Sequence, residues 1–216
     1  PTGEEVVRDM FYDGNPRAEP GAVVCRVAPS FTRFGSFQIF FARGEHEVLK
    51  QLVDYTIRTD FPHIGAQSED VYLQWYEEIV RRTAEMVAHW MRVGFVHGVM
   101  NTDNVQIAGE TIDYGPCAFM DVYHPETVYS SIDRTGRYAY VNQPRVAHWN
   151  LAQFAQALVP IIDTDEERAV EAAVEVIRTF PARYEQAWVE GMRRKLGLET
   201  AETEDAELAQ EVLDVM

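Results

Sequence analysis

Three residues in the middle of the chain have side chains that suit a divalent metal site. Asp103 and Asn104 lie in a loop-like stretch, and Asp113 begins the tripeptide DYG further on. The intervening segments VQIAG and TIDYG, joined at Gly109-Glu110, predict a β-hairpin that folds Asn104 and Asp113 back toward each other. Magnesium prefers such carboxylate and amide oxygens. Asn and Asp in loops are often only turn formers, but the order of these features favours magnesium on Asn104 and Asp113.

Asp103 is the carboxylate nearest to this predicted metal site. If Asn104 and Asp113 hold the metal, Asp103 projects from the same turn and can take a proton from an incoming hydroxyl group. The alternative is a solvated loop aspartate. His97, at the start of the stretch, is more typical of a structural histidine packed beneath the loop than of a proton shuttle, because no neighbouring residue is a nucleophile.

The stretch HGVMNTDNVQIAGETIDYGP resembles the catalytic region of protein kinases. A kinase catalytic loop reads H-x-D-x-x-x-x-N, and D-F-G follows after a short hairpin. His97, Asn104 and Asp113 occupy matching positions, whereas Val99 stands where the kinase has its catalytic base. Val99 therefore disfavours ordinary transfer of the γ-phosphate, and Asp103 is the candidate replacement for the base.

Two arginines upstream are candidate phosphate ligands. Arg26 lies within the apolar run VVCRV, where a guanidinium needs a partner, and Arg33 follows it. A phosphate would accept bidentate hydrogen bonds from such a side chain, and a structural salt bridge is an equal alternative. The two positions are an odd number of residues apart, so a regular strand would point them to opposite faces. We expect Pro29-Ser30 to bend the chain so that they converge.

The elements that position these residues are mixed at the amino end. AVVCRV, residues 22–27, predicts a buried strand, and FGSFQIFF, residues 34–41, predicts a second strand or a short aromatic turn. Apolar residues at helical spacing predict a helix over 45–59 and a long one that begins after Ser68, the predicted N-cap with Glu69 and Asp70, and ends at Gly94.

The carboxyl half is predicted to be mainly helical. Residues 116–143 lack a clean period and predict a long ordered loop. Helices follow from Pro144, with Thr164-Asp-Glu-Glu167 as a capping box and with Pro181 and Gly197 separating later helices. The phenylalanines at positions 31, 34, 37, 40 and 41 are predicted to be core rather than a base-stacking platform, because no basic groove accompanies them.

Composition limits the classes of partner. The 216 residues are 46% apolar, enough for one domain or part of a larger one, and the net charge of −16 would repel nucleic acid and anionic membranes. Any phosphate site must therefore be local. No run approaches the roughly 18 apolar residues that cross a bilayer. Cys25 and Cys117 fit a reducing compartment as buried thiols rather than a disulfide.

Several longer motifs together resemble the selenoprotein O family of kinase-like proteins, and the resemblance runs through essentially the whole chain. The motifs are YDGNP, RVAPSFTRFGSF, HGVMNTDNVQIAGETIDYGPCAFMD, GRYAYVNQP and HWNLAQFAQAL. The resemblance implies a protein-kinase-like α+β fold that binds ATP in a flipped orientation. It also implies transfer of AMP, rather than the terminal phosphate, to Ser, Thr or Tyr hydroxyls of protein substrates.

The resemblance also implies roles for individual residues. Arg26 and Arg33 match the family's two nucleotide-phosphate arginines, and Asp103 matches its proton acceptor. Asn104 and Asp113 match its magnesium ligands, which makes Asp113 a nucleotide-site residue as well; manganese is the alternative metal. Phe31 and Ser36 replace histidines that are common in the family, a difference that affects no expected ligand.

The upstream glycine-rich loop, ATP-binding lysine and glutamate of the family have no counterpart in this sequence. We therefore interpret the chain as a central fragment, in which residues 1–60 are the end of the small lobe with its connecting helix and residues 61–216 are the helical large lobe. We expect a cytoplasmic location for a bacterial protein, while a mitochondrial one stays open for a eukaryotic protein. A non-catalytic pseudokinase module that binds ATP or a partner is the alternative function.

Overall fold

The computed structural model describes residues 1–10, 12–65 and 70–216. Helices dominate these residues: α1 Phe34–Ala42, α2 His46–Asp60, α3 Val71–Val93, α4 Gln143–Ile162, α5 Glu166–Ile177, α6 Phe180–Leu196 and α7 Asp205–Asp214. Two short antiparallel strand pairs accompany them, β1 Glu5–Arg8 with β2 Arg17–Pro20 and β3 Phe95–Val96 with β4 Ala118–Phe119. In the described part of the chain, no helix combines the length and the apolar content that crossing a bilayer requires.

Helix α3 is the central element of the fold and packs against α4, α5 and α6. Gly94 ends it in the left-handed conformation, with φ of 68°, as the sequence predicts. Tyr72 of the predicted apolar stripe is only partly buried, and the rest of that stripe is buried: Tyr76, Ile79, Thr83, Met86 and Trp90. The predicted N-cap, Ser68, and the Glu69 that follows it lie outside the described residues.

An aromatic cluster joins α1, α3 and α4. The ring of Phe154 lies 5.0 Å from that of Phe34, 5.2 Å from Phe37 and 5.5 Å from Trp75, measured between centroids. All four side chains are fully buried. The prediction of core phenylalanines is confirmed for Phe34 and Phe37, and Phe40 and Phe41 pack at its edge. It is wrong for Phe31, which is exposed.

Two predicted strands near the amino end are not strands. Residues 22–27 are irregular, and Val23, Val24 and Val27 are exposed, because no strand in the described residues pairs with this run. Residues 34–41 form helix α1 instead. Phe34, Phe37 and Phe41 recur at helical spacing, so one face of the helix reaches the core, and this period outweighs the β-propensity of the aromatic residues.

The predicted hairpin after the site loop does not form either. Residues 105–115 contain a turn, bends and irregular backbone but no strand, and the segment instead pairs across to Arg33 through an isolated bridge at Gln106. The fully buried side chain of Gln106 explains the difference. Its Oε1 accepts the Glu110 N–H at 3.2 Å and its Nε2 donates to the carbonyl of Ser30, so it ties the segment to residues on both sides in place of a hairpin ladder.

In the carboxyl half, the structure has the long loop and the later helices that the sequence predicts. Residues 116–142 contain only β4 and a 3-10 helix, Tyr140–Asn142, as regular structure, and helix α4 begins at Gln143, the last residue of the predicted loop. The N-cap of α5 is Asp165 rather than the predicted Thr164, because the Asp165 carboxylate accepts the N–H groups of Glu167 and Arg168. Gly197 ends α6 as predicted. Cys25 and Cys117 are free thiols, but Cys25 is exposed, so its predicted burial is wrong.

Candidate functional site

Arg26 and Arg33 converge on one carboxylate, that of Asp113. Arg33 binds it through two hydrogen bonds, from Nε to Oδ2 at 2.8 Å and from Nη2 to Oδ1 at 3.0 Å. Arg26 adds a third, from Nη1 to Oδ1 at 3.0 Å. The predicted convergence is confirmed. The partner of the arginines in the structure is a side chain of the chain itself, in line with the salt-bridge alternative.

This clamp controls the charge state of Asp113. Hydrogen bonding from Arg33, followed by weaker contributions from Arg26, lowers the pKa of Asp113. The same hydrogen bond raises the pKa of Arg33. Asp113 also has a left-handed backbone with φ of 57°, an uncommon conformation for a residue other than glycine. A persistently ionised carboxylate in an unusual backbone conformation is typical of a functional position.

Arg33 is held in place from several directions. Its Nη1 donates to the carbonyl of Phe31 at 3.1 Å, which leaves Nε and Nη2 directed at Asp113. Its backbone N–H donates to Ser36 Oγ at 3.3 Å, at the start of α1. The guanidinium therefore presents a fixed fork. Arg26 is more exposed, and its guanidinium lies 5.5 Å from the ring centre of Tyr114.

The amino end of α1 is attached to the loop that carries Asp103 and Asn104. The N–H of Gly35 donates to the carbonyl of Thr102 at 2.9 Å, and that of Phe34 donates to Val105 at 3.2 Å. These bonds satisfy two of the free N–H groups that every helix start leaves. Arg33, at the N-cap, and the loop from Thr102 to Val105 therefore belong to one hydrogen-bonded unit.

The loop itself turns tightly around Asn101. Its Oδ1 accepts the N–H of Asp103 at 3.1 Å, and its carbonyl accepts the N–H of Asn104 at 3.0 Å. The side-chain Nδ2 of Asn104 donates to the carbonyl of Val99 at 3.1 Å. Asp103 is exposed. Its charge acts on Arg33, where it adds to the larger effect of Asp113 in raising the pKa.

His97 is a structural residue, as its sequence context predicts. It is fully buried, its Nε2 lies 3.0 Å from the carbonyl of Ile112, and its Nδ1 accepts the N–H of Val99 at 3.4 Å. Burial lowers its pKa, so the imidazole is neutral and donates from Nε2 to Ile112. His97 therefore links the start of the loop to the residue before Asp113.

Two buried amides on α4 support the loop and were missed by the sequence interpretation. Gln143 accepts the N–H of His97 through Oε1 and donates to the carbonyl of Phe95 through Nε2, both at 2.9 Å. Asn150 donates from Nδ2 to the carbonyl of Met100 at 2.9 Å. The sequence does contain a signal for them. Gln143 and Asn150 are two helical turns apart among the apolar residues of one helix face, and amides buried on such a face need hydrogen-bond partners.

The described residues include no group of three or more His, Cys, Asp and Glu side chains arranged for a metal ion. Asn104 and Asp113 are nevertheless suitable donors in kind. The amide nitrogen of Asn104 is engaged by Val99, which leaves its oxygen as the coordinating atom, and Asp113 is ionised. Both donors are hard oxygens, as magnesium requires. The Asp113 carboxylate already accepts three hydrogen bonds from the arginines, so a cation bound there would compete with them for its oxygens.

The converging arginines, the exposed Asp103 carboxylate and the oxygen donors of Asn104 and Asp113 are groups of the kinds that phosphate chemistry needs. The chain belongs to the SelO family, because the family described as "Protein adenylyltransferase SelO" matches residues 1–216. The predicted family is thereby confirmed.

Relatives named "Protein nucleotidyltransferase YdiU" are similar along the whole chain. The protein of Halalkalibacterium halodurans is 50% identical over 215 residues, which cover 100% of this chain and 42% of the relative. The protein of Anoxybacillus flavithermus is 51% identical, with 43% of its length covered. That of Rhodopseudomonas palustris is 49% identical, with 42% covered. The chain thus spans less than half the length of these relatives.

Proposed function

We propose that this chain is the part of a protein nucleotidyltransferase that carries the proton acceptor and metal ligands, and that the whole protein transfers AMP from ATP to Ser, Thr or Tyr hydroxyls of protein substrates. The family description and the names of the relatives support this reaction class. The observation that carries the proposal is the convergence of Arg26 and Arg33 on Asp113, in one hydrogen-bonded unit with the loop of Asp103.

In this proposal the two arginines bind the phosphates of ATP. A guanidinium fork that fits the two oxygens of a carboxylate also fits two oxygens of a phosphate. Arg33 is held by Phe31 and Ser36, so it is in place before the nucleotide arrives. Its positive charge, together with that of Arg26, stabilises the negative charge that develops at the α-phosphate and on the departing pyrophosphate.

Asp103 is the proposed proton acceptor. It is exposed at the tip of a tight turn, where a hydroxyl group of a protein substrate can reach it. Val99, in the position of a kinase base, has a different use: its backbone N–H and carbonyl bind His97 and Asn104. The base is thus supplied from the residue next to Asn104. The hydroxyl oxygen, once its proton moves to Asp103, attacks the α-phosphate and pyrophosphate leaves.

Asn104 and Asp113 are the residues that would hold a divalent cation, magnesium or manganese. Such a cation supplies positive charge to the phosphate oxygens when it is bound. The chain's own contribution is to keep Asp113 ionised and to fix the amide of Asn104 against Val99.

We also propose a protein-kinase-like fold for the whole protein, with residues 1–60 belonging to the small lobe and residues 61–216 forming the large lobe. The order of elements supports it. A long central helix, α3, leads through β3 into the site loop, an irregular segment follows, and four further helices complete the chain. This is the order expected from the motif resemblance.

The whole protein incubated with ATP labelled on either the α- or the γ-phosphate, a divalent metal and a protein substrate tests the function. Label transferred only from the α position supports AMP transfer. Label transferred only from the γ position would establish a kinase, and saturable ATP binding without transfer would establish a pseudokinase module. Asp113→Ala should abolish the transfer, and a variant that retains it would contradict the role of Asp113.

A further inference from the structure

Gly35 makes room for the carboxylate of Asp103. A Cβ atom at position 35 would lie 1.9 Å from Oδ1 of Asp103 and 2.9 Å from its Cγ, far inside contact distance. The nearest backbone atom, the Cα of Asp103, would be at 3.5 Å, which is ordinary contact. The space that any other side chain would use at position 35 is thus occupied by the Asp103 carboxylate.

Backbone conformation gives no reason for a glycine at this position. Gly35 does not have a positive φ, so residues other than glycine can adopt its backbone conformation. It is the second residue of helix α1, where alanine would form a more stable helix than glycine. The close approach of Asp103 is the feature that requires a missing side chain.

Neither partner can move away as a backbone unit. The N–H of Gly35 is bonded to the carbonyl of Thr102, the residue before Asp103. On the other side, Phe34 and Phe37 are fully buried in the aromatic cluster and hold α1 in place. A side chain at position 35 would therefore be accommodated by rotation of the Asp103 carboxylate, leaving the loop where it is.

We propose that Gly35 is a positioning residue for the reaction. Its missing side chain allows the Asp103 carboxylate to lie against the start of α1, beside Arg33, where it can accept the substrate proton. This inference rests on the proposed function, in which Asp103 is the proton acceptor. Arg33 and Gly35 are two residues apart on the same helix start, so the phosphate ligand and the proton acceptor are set in register by one short segment.

Gly35→Ala in the whole protein is the direct test. We expect the rate constant kcat of AMP transfer to fall by about 100-fold, toward the value of Asp103→Ala, since general bases contribute on the order of 10² or more. The affinity for ATP should stay within about twofold, because the arginine fork is unchanged. Gly65→Ala is the matched control. Gly65 has an ordinary φ, and no atom of the described residues lies within 4 Å of an added Cβ, so full activity is expected.

The double variant Gly35→Ala/Asp103→Ala separates positioning from general damage. If Gly35 acts through Asp103, the double variant should transfer AMP as slowly as Asp103→Ala alone. Multiplied losses would overturn the inference, and so would wild-type kcat in Gly35→Ala. If Asp103→Ala itself retains wild-type transfer, the proposed function of Asp103 fails instead.

Thermal unfolding of the same three variants and the wild type gives a second double-mutant cycle, which does not depend on activity. Any loss of Tm caused by Gly35→Ala should be relieved when Asp103 is also alanine, because the contact that the new methyl group violates is then gone. The same loss of Tm in both backgrounds would show that the methyl group clashes elsewhere and would overturn the inference, even if Gly35→Ala folds poorly.

Discussion

Arg33 and Asp113 form a bidentate ion pair, with Nε 2.8 Å from Oδ2 and Nη2 3.0 Å from Oδ1. The proposed function gives these residues different ligands, phosphate for the guanidinium and a divalent cation for the carboxylate. In the structure each neutralises the other, and Arg26 shares the carboxylate. A ligand that takes only one partner leaves the other without its counter-charge, so nucleotide and metal should favour each other's binding.

Asp113→Asn should bind ATP more tightly than the wild type when a chelator removes divalent metal. The amide releases the arginines more readily, and the expected gain is about two- to fivefold, which corresponds to a partly exposed ion pair. With magnesium present the order should reverse, because the variant has lost a metal ligand. Isothermal titration of the whole protein measures both affinities.

Asp54→Asn is the control for that titration. It removes one negative charge from an exposed ion pair with Lys50 on α2 and should leave ATP affinity unchanged in either condition. Tighter binding by both variants would mean that net charge, and not release of the arginines, is responsible.

Arg33→Lys should weaken ATP binding by about tenfold, because an ammonium group cannot reproduce the two parallel hydrogen bonds of the fork. Transfer of AMP should fall at least as much. Equilibrium binding and initial rates measure the two effects. Arg178→Lys, whose pair with Glu175 is exposed, should change neither. Equal affinities for Arg33→Lys and the wild type would remove Arg33 from the phosphate site.

Asn150→Ala should lower the apparent free energy of unfolding by about 1–3 kcal/mol, since it leaves the buried carbonyl of Met100 without its donor. AMP transfer should fall too, because Met100 leads into the site loop. Gln156→Ala, an exposed amide on the same helix, should stay within about 0.5 kcal/mol of the wild type. Denaturant titration gives both values, and equal losses would show a general weakening of α4.

The stabilising contribution of His97 should depend on pH. Burial lowers its pKa, so the folded protein holds the neutral ring while the unfolded chain protonates near pH 6.5. The contribution is therefore fully present above about pH 6.5 and is lost as the pH falls toward the lowered value. The Tm advantage of the wild type over His97→Gln should shrink between pH 7.5 and about pH 5. A difference in Tm between the wild type and His97→Gln that stays constant over this range would contradict the predicted pH dependence.

The helices were predictable where one apolar face reaches the core. Helices α2 and α3 show that period clearly, and α3 also ends at a glycine. The sequence predicts a strand or a short aromatic turn where α1 lies because aromatic residues have high β-propensity, although Phe34, Phe37 and Phe41 have helical spacing. The run 22–27 was mistaken for a buried strand because composition cannot show whether a pairing strand exists.

Residue types at the site could be predicted, but their partners could not. Guanidinium chemistry and the bend at Pro29 indicated that Arg26 and Arg33 converge, while their shared contact with Asp113 joins positions far apart in sequence. Periodicity carries no information on such pairs. The role of Gln106, whose side chain replaces the predicted hairpin ladder, depends on burial that only the folded chain reveals.

The aromatic stack of Phe34 on Phe154 lies at the base of the helix that presents Arg33 and Gly35. Since Arg33 and Gly35 share a single turn of backbone with Phe34, we expect a substitution that repacks those rings to shift both residues together. Under the proposed function, phosphate binding and proton removal therefore depend on the same helix start. Substitutions in the core under α1 should therefore alter both functions in parallel. A change that affects only one of them should be sought in the loop that carries Asp103.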